Sequence, residues 1–397
     1  MISTVNLNVG SRSMRKMGLG AAVLSAFVLG ITPTVAAGAS GWVIQPTPTP
    51  IGATQVTLND VSCSAPTACF GVGYSTIGSS LLTLAERWTG TKWVVQHTPN
   101  PTGTAGAILN NVSCTSATAC TAVGYHVTNS GHTLTLAEAW NGTKWTIQPT
   151  PNPVGTTNSE LTGVSCTSTS ACTAVGRYYG SPSIATLAEG WNGTKWVIQP
   201  TPNPTGDSVA EFYGVSCTAT TACTGVGFAL DGSNHDVMVS EAWNGTTWAM
   251  QSIPNPTGTT SAVLRGISCT SSIACVAVGD YIGSSFITTL AETWNGAIWA
   301  VQPTPNPSGG TTTSLLTGIS CVSTTACTAI GFENISGGTV TLGEAWNGVN
   351  WVIQPTPNPA AATQSYLNGV SCPSVNACVA VGSTSNSSTA ALVERHS

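Results

Sequence analysis

The sequence predicts an all-β fold: a seven-bladed β-propeller with four antiparallel strands per blade, its ring closed by an N-terminal strand at 42–45 that completes the last blade. Three observations carry this. Fourteen cysteines fall as seven C-x5-C pairs, Cys63 and Cys69, Cys114 and Cys120, Cys166 and Cys172, Cys217 and Cys223, Cys269 and Cys275, Cys321 and Cys327, and Cys372 and Cys378, offset by 51 or 52 residues. A fixed period of this size marks a repeat architecture. Each repeat spells four short apolar segments divided by turn residues. Finally, "GWVIQPTPTP" at 41–50 is the tail of a unit not yet spelled, for the same phrase closes a full repeat as "KWTIQPTPNP" at 144–153.

One full unit, 110–153, supplies the elements in order. Strand a is "NVSC", strand b "ACTAVGY", strand c "LTLAEAW" and strand d "KWTIQ". A Gly/Ser/Asn loop separates b from c, and the tight "NGT" turn joining c to d is a strong hairpin signal. After d, "PTPNP" cannot continue a ladder, because proline has no N–H to give. Strands a, b and c occur seven times, but the last repeat stops at "AALVERHS", after strand c. The missing seventh d is Trp42 to Gln45. The 13 tryptophans agree: six repeats carry one at each end of the c–d turn, as Trp140 and Trp145 do, and the seventh contributes Trp42 alone. An open solenoid would leave strand edges exposed at both ends.

Residues 1–39 read as an export signal: Arg12, Arg15 and Lys16, then a short apolar run from Met17 to Ile31, then small-residue cleavage sites after Ala37 or Ala39. The propeller then occupies 40–397, and no span of it is apolar enough to cross a bilayer as a helix. Only 6% of the residues are charged, against about 25% in an ordinary domain. Removing the signal leaves seven basic residues against fifteen acidic ones, a balance of −8. Such a surface is a poor partner for phosphate backbones, which excludes nucleic-acid binding as a reading. A monomer is expected.

Blades pack on neighbours through both faces, so side-chain size should follow radial position. Strand b is small ("ACTAVG"), which suits the crowded middle, and the tryptophans belong farther out. In an exported chain the cysteine pairs read as disulfides across the a–b hairpin. A zinc site would need closer pairs and further ligands, and the five histidines follow no repeat. No metal or other cofactor is expected. One glutamate recurs in strand c, at Glu86, Glu138, Glu189, Glu241, Glu292, Glu344 and Glu394. Seven equivalent copies point to a structural role, with backbone or indole N–H donors expected around each carboxylate.

At the c–d turn, "EAWNGTKW" (138–145) resembles the Asp-box of BNR-type propellers, S-x-D-x-G-x-T-W. Gly142 and Trp145 match; Glu138 stands where that family has Ser, and Trp140 where it has Asp. "ACTAVGY" followed by "LAEAWNGTKW" also resembles kelch repeats, without their double glycine. The overall pattern is similar to secreted bacterial BNR-like proteins with "VSC-x5-C-x-AVG" repeats, and the likeness covers Trp42 to the end. It implies the fold and carries over neither enzymatic branch. Asp-box sialidases use an arginine triad, whereas the propeller has only Arg87, Arg177, Arg265 and Arg395, two of them at the same strand-c position of different blades. The copper site of galactose oxidase needs two His and two Tyr, one of these linked to a cysteine, and here every cysteine belongs to a repeat pair.

The a–b and c–d turns are nearly constant from blade to blade, while the b–c and d–a connections vary. The b–c segments hold His126, His132, Arg177, Tyr178, Tyr179, Asp231, His235, Asp236, Asp280, Tyr281 and Glu333. Loops on a rigid frame are where function usually resides, so these residues are the candidate ligand contacts. The favoured reading is a secreted binding or adhesion module for a glycan, a peptide or a cell-wall polymer. The alternatives are a structural surface protein without a specific ligand and a glycan-active hydrolase or lyase using Asp231, Asp236, His235 and His132.

Overall fold

The computed structural model describes residues 41–180, 183–204, 209–283, 286–307 and 313–396. The expected export signal, 1–39, lies outside them. Twenty-eight strands form seven four-stranded blades. Blade 1 runs Ala53–Ala65, Ala68–Ile77, Ser80–Trp88 and Trp93–Gln96 as strands a to d. Blades 2 to 6 repeat this order. Blade 7 takes strands a to c from Gln364–Ser374, Ala377–Ser385 and Thr389–His396, and its strand d is Trp42–Ile44 from the other end of the chain. Closure pairs Trp42 with His396, Val43 with Arg395 and Ile44 with Glu394, as the strand count requires. The Trp42 indole also donates to Gln354 Oε1 of blade 6 at 3.2 Å.

Each strand a packs on the strand a of the next blade, and that of blade 7 returns to blade 1. Strands a therefore line the centre and strands d lie outermost. Seven apolar clusters fill the layers between blades, each mixing two neighbours; Phe70, Val72 and Ala85 of blade 1, for example, pack on Leu109, Trp140 and Trp145 of blade 2. The tryptophans sit at the outer ends of these layers, as their volume demands.

A belt of equivalent hydrogen bonds runs round the ring. The Ser before the first cysteine of each blade accepts the N–H of the first cysteine of the next, from Ser62 to Cys114 at 2.9 Å and Ser113 to Cys166 at 3.0 Å, round to Ser371 and Cys63 at 2.9 Å. The closing contact is thus chemically the same as the internal ones. A second set tracks the channel: Asn59, Asn110 and Asn368 donate to Leu109 O, Leu161 O and Leu58 O at 2.9, 2.8 and 3.0 Å. The seven disulfides each join the first two strands of one blade.

Strand a differs from its sequence reading. It is not the four residues "NVSC" but Thr104–Ser116 in blade 2, with a register shift between Leu109 and Asn111. Gly, Ala and Asn in "TGTAGAILNN" suggest a loop, yet a crowded channel wall needs small residues and a bulge. The glycine of "AVG" opposes that bulge. A Cβ on Gly124 would lie 2.0 Å from Ile108 O, and the other six strand-b glycines meet the same obstacle at 1.9–2.0 Å. Strand b is also longer, reaching Thr128 rather than Tyr125.

The recurring glutamates correct a second expectation. All seven are fully buried, but none of their carboxyl oxygens has a hydrogen-bond partner. Thr83 beside Glu138 and Thr289 beside Glu344 pull those two carboxyls down, against burial. Burial dominates and pushes all seven up to about 8. The layers accept these side chains as neutral acids, because an isolated carboxylate there would lose its hydration with nothing in return.

Candidate functional site

The b–c candidates lie on one side of the ring, but most are strand residues. Arg177, Tyr178 and Tyr179 end strand b of blade 3, Asp280 and Tyr281 lie near the end of strand b in blade 5, and Asp236 begins strand c of blade 4. His126 and Glu333 are in strands b of blades 2 and 6. The longer strand b accounts for this shift from loop to strand. His132, Asp231 and His235 remain in connections.

One of these residues, Asp231, has a local structural task. Asp231 Oδ1 accepts the N–H groups of Ser233 and His235 at 2.7 and 3.0 Å, which folds the b–c turn of blade 4. Those two N–H donors hold its carboxyl below the ordinary value. The His235 ring approaches it at 3.6 Å. Burial lowers the pKa of His126, and Glu333 is buried. Asp231, His235 and Asp236 share the b–c turn of blade 4, whereas His132 belongs to the b–c connection of blade 2.

Blades 3 to 5 do assemble a constellation. Arg177 bridges Glu160 of its own blade and Glu211 of blade 4. Arg265, on strand a of blade 5, pairs with Asp280 at 2.5 Å. Its guanidinium lies 5.7 Å from the Tyr213 ring, which stacks on Phe228 at 5.6 Å. Burial raises the Tyr213 phenol, with the nearby charge of Glu211 adding to it and those of Arg265 and Arg177 opposing it. Tyr179 packs over Arg177 at 5.8 Å and stays 38% exposed, the outermost ring of the group. Asp236 is raised by burial and by Asp280, against the pull of Arg265.

Glu160, Glu211, Tyr213 and Arg265 were not among the b–c candidates. They lie on strands a, whose inner ends read as loop. For the last three the signal is a break in the repeat: where other blades spell "LTG", "LNN", "LND" or "LNG", blades 4 and 5 spell "EFYG" and "VLRG"; Glu160 directly precedes the "LTG" of blade 3. Among the described residues, no group of three or more His, Cys, Asp or Glu is placed to hold a metal ion, and no helix is long and apolar enough to cross a membrane.

No family model matches the sequence, and no curated protein matches it. Solved structures do. The GH74 xyloglucanase from Xanthomonas campestris aligns at 12% identity with a TM-score of 0.52, over 86% of this chain and 53% of that one. The SapL1 lectin in complex with alpha methyl fucoside aligns at 12% identity and a TM-score of 0.48, over 78% and 99%. Trypanosoma rangeli sialidase in complex with sialic acid aligns at 8% and 0.47, over 86% and 55%. The chain spans about half the length of the xyloglucanase and the sialidase. At these identities the likeness is one of fold.

Proposed function

We propose that this protein is an exported, non-catalytic binding module that holds a polar polymer, a glycan before a peptide, on the b–c face of blades 3 to 5. One observation carries the reading: residues that break the repeat gather there around Arg177 and Arg265, with the rings of Tyr179 and Tyr213 over their guanidinium groups and Tyr179 outermost. Aromatic rings fixed by stacked guanidinium groups offer flat apolar faces with polar edges, the chemistry a sugar ring or peptide needs. The arginines are spoken for by carboxylates, and the propeller's balance is −8, which puts neutral polymers ahead of anionic ones. Seven disulfides suit an oxidising compartment. That agrees with the signal read at 1–39.

The test is retention on immobilised neutral polysaccharides. The Tyr178→Ala/Tyr179→Ala double variant should lose retention, while Lys92→Ala/Lys144→Ala on the constant turns should keep it. Equal retention by both variants would refute the b–c site. A hydrolase reading has one observation in its favour: Asp236 is raised toward an acid form beside Asp280, which Arg265 pairs. New reducing ends in the same incubations, abolished by Asp236→Asn, would replace the binding reading with that one.

A further inference from the structure

The opposite face, where the a–b and c–d turns lie, carries a repeated feature outside the proposed site. Open pockets of about 70, 120, 280 and 210 Å³ lie between blades 2 and 3, 3 and 4, 4 and 5, and 5 and 6. Their walls repeat: a disulfide, a strand-c tryptophan, the strand-d Gln, and Ser and Thr hydroxyls. No charged side chain lines any of the four.

The residue before the strand-c tryptophan is Ala139, Gly190, Ala242 or Thr293 in blades 2 to 5, and each borders a pocket. In blades 1 and 7 it is Arg87 and Arg395. Arg87 lies over Phe70 and Trp140 at 5.9 and 6.0 Å, and Arg395 over Trp88 at 5.1 Å. There the tryptophans Trp140 and Trp88 are buried, 5% and 6% exposed. Beside the small residues, Trp191, Trp243, Trp294 and Trp346 keep part of their surface open. Between blades 6 and 7 the indole is missing, because His396 takes its place.

The polar groups are held in position. Trp191, Trp243 and Trp346 donate their indole N–H to Thr169 O, Thr220 O and Thr324 O at 3.2–3.3 Å, which fixes each ring. Gln148, Gln199, Gln251 and Gln302 each accept the strand-d indole N–H of the next blade through Oε1 at 3.0–3.2 Å. These bonds use the amide oxygen and leave the NH2 group to donate. A ligand here meets an indole, amide donors and hydroxyls, and no counter-charge. An ion would go unpaired, and a wholly apolar group would strand the amide and hydroxyls without partners.

We infer that the pockets at boundaries 3/4, 4/5 and 5/6, each lined by two part-open indoles, are equivalent sites for single neutral sugar residues of a glycan; the 2/3 pocket is lined by the buried Trp140 instead and is not one of them. A pyranose lays its C–H face on the indole and gives its hydroxyls to Gln, Ser and Thr. Three sites on one face would let weak single contacts add through a shared polymer. This inference does not depend on the b–c site.

The experiment follows the indole N–H signals by NMR while the purified protein is titrated with the methyl glycosides of glucose, galactose, mannose, fucose and N-acetylglucosamine. With at least one glycoside, the signals of Trp191, Trp243, Trp294 and Trp346 should move. Ala242→Arg, which installs the plug of blades 1 and 7, should silence the 4/5 site, and Thr293→Arg the 5/6 site, leaving two responsive sites in each. Ala242→Phe fills the same pocket without charge and decides the matter if an arginine variant does not fold. Tyr178→Ala/Tyr179→Ala should keep all three sites responsive even if it abolishes polymer retention. No movement with any of the five glycosides, or three undiminished sites in the plugged variants, overturns the inference.

Discussion

Trp42 meets His396 edge-on, their ring centroids 5.5 Å apart. Every other blade places a tryptophan pair there, at 5.7–5.9 Å. The two termini of the propeller therefore reproduce, with a smaller ring, a contact that the other blades make within one hairpin. Deleting residues 40–46 should expose one strand edge and one layer and lower the melting temperature. Trp42→Ala alone should cost about 3–5 kcal/mol, the range for truncating a large buried aromatic. An unchanged midpoint in the deletion would show that closure rests elsewhere.

The strand-b glycines are fixed by contact with strand a. Gly124→Ala would place its methyl 2.0 Å from Ile108 O, a backbone atom that cannot turn aside. A loss of about 2 kcal/mol or more is expected, at the upper end of overpacking effects. Urea unfolding of Gly124→Ala beside Gly131→Ala would check it. A Cβ on Gly131 meets nothing within 4 Å, although its φ of +85° adds some backbone strain.

Stability should fall as pH rises. Each recurring glutamate has its folded-state pKa raised to about 8 from an ordinary 4.5, so the folded chain binds more protons than the unfolded one between those values. The stabilising contribution is complete below about pH 4.5 and is lost as pH climbs through 8. Each such group changes stability by at most about 1.4 kcal/mol per pH unit. The melting temperature should therefore be higher at pH 5 than at pH 8, and Glu292→Gln should flatten the slope. A flat profile between those two pH values would mean that the carboxyls enter the layers charged.

All fourteen cysteines should resist alkylation in unreduced, denatured protein, because each pair is already joined within its blade. Replacing Cys114 and Cys120 by alanine should cost about 2 kcal/mol, as the closed loop is short. Recovery of cystine peptides linking two blades would contradict this pairing.

Period, strand count and closure were legible because they depend on spacing, and spacing survives in a linear text. The seven "C-x5-C" pairs set the blade number, and the surplus "GWVIQ" set the closure. The site was less legible. Glu160, Glu211, Tyr213 and Arg265 converge only because strands a line the channel, and their glycine- and asparagine-rich inner ends imitate loops. The equivalence of Arg87 and Arg395 was visible, but not that they lie over aromatic rings of the following blade. The donors expected around the glutamates are missing for a related reason: sequence reveals a recurring acid but not its protonation state, which burial decides.

The serine-to-cysteine belt has no first or last member, since the Ser371–Cys63 contact matches the other six. The point at which the chain starts is then nearly irrelevant to the finished ring. A circular permutant that joins His396 to Trp42 by a short linker and opens the chain at the Asn141–Gly142 turn should reach the same ring, with blade 2 now the one assembled from both termini.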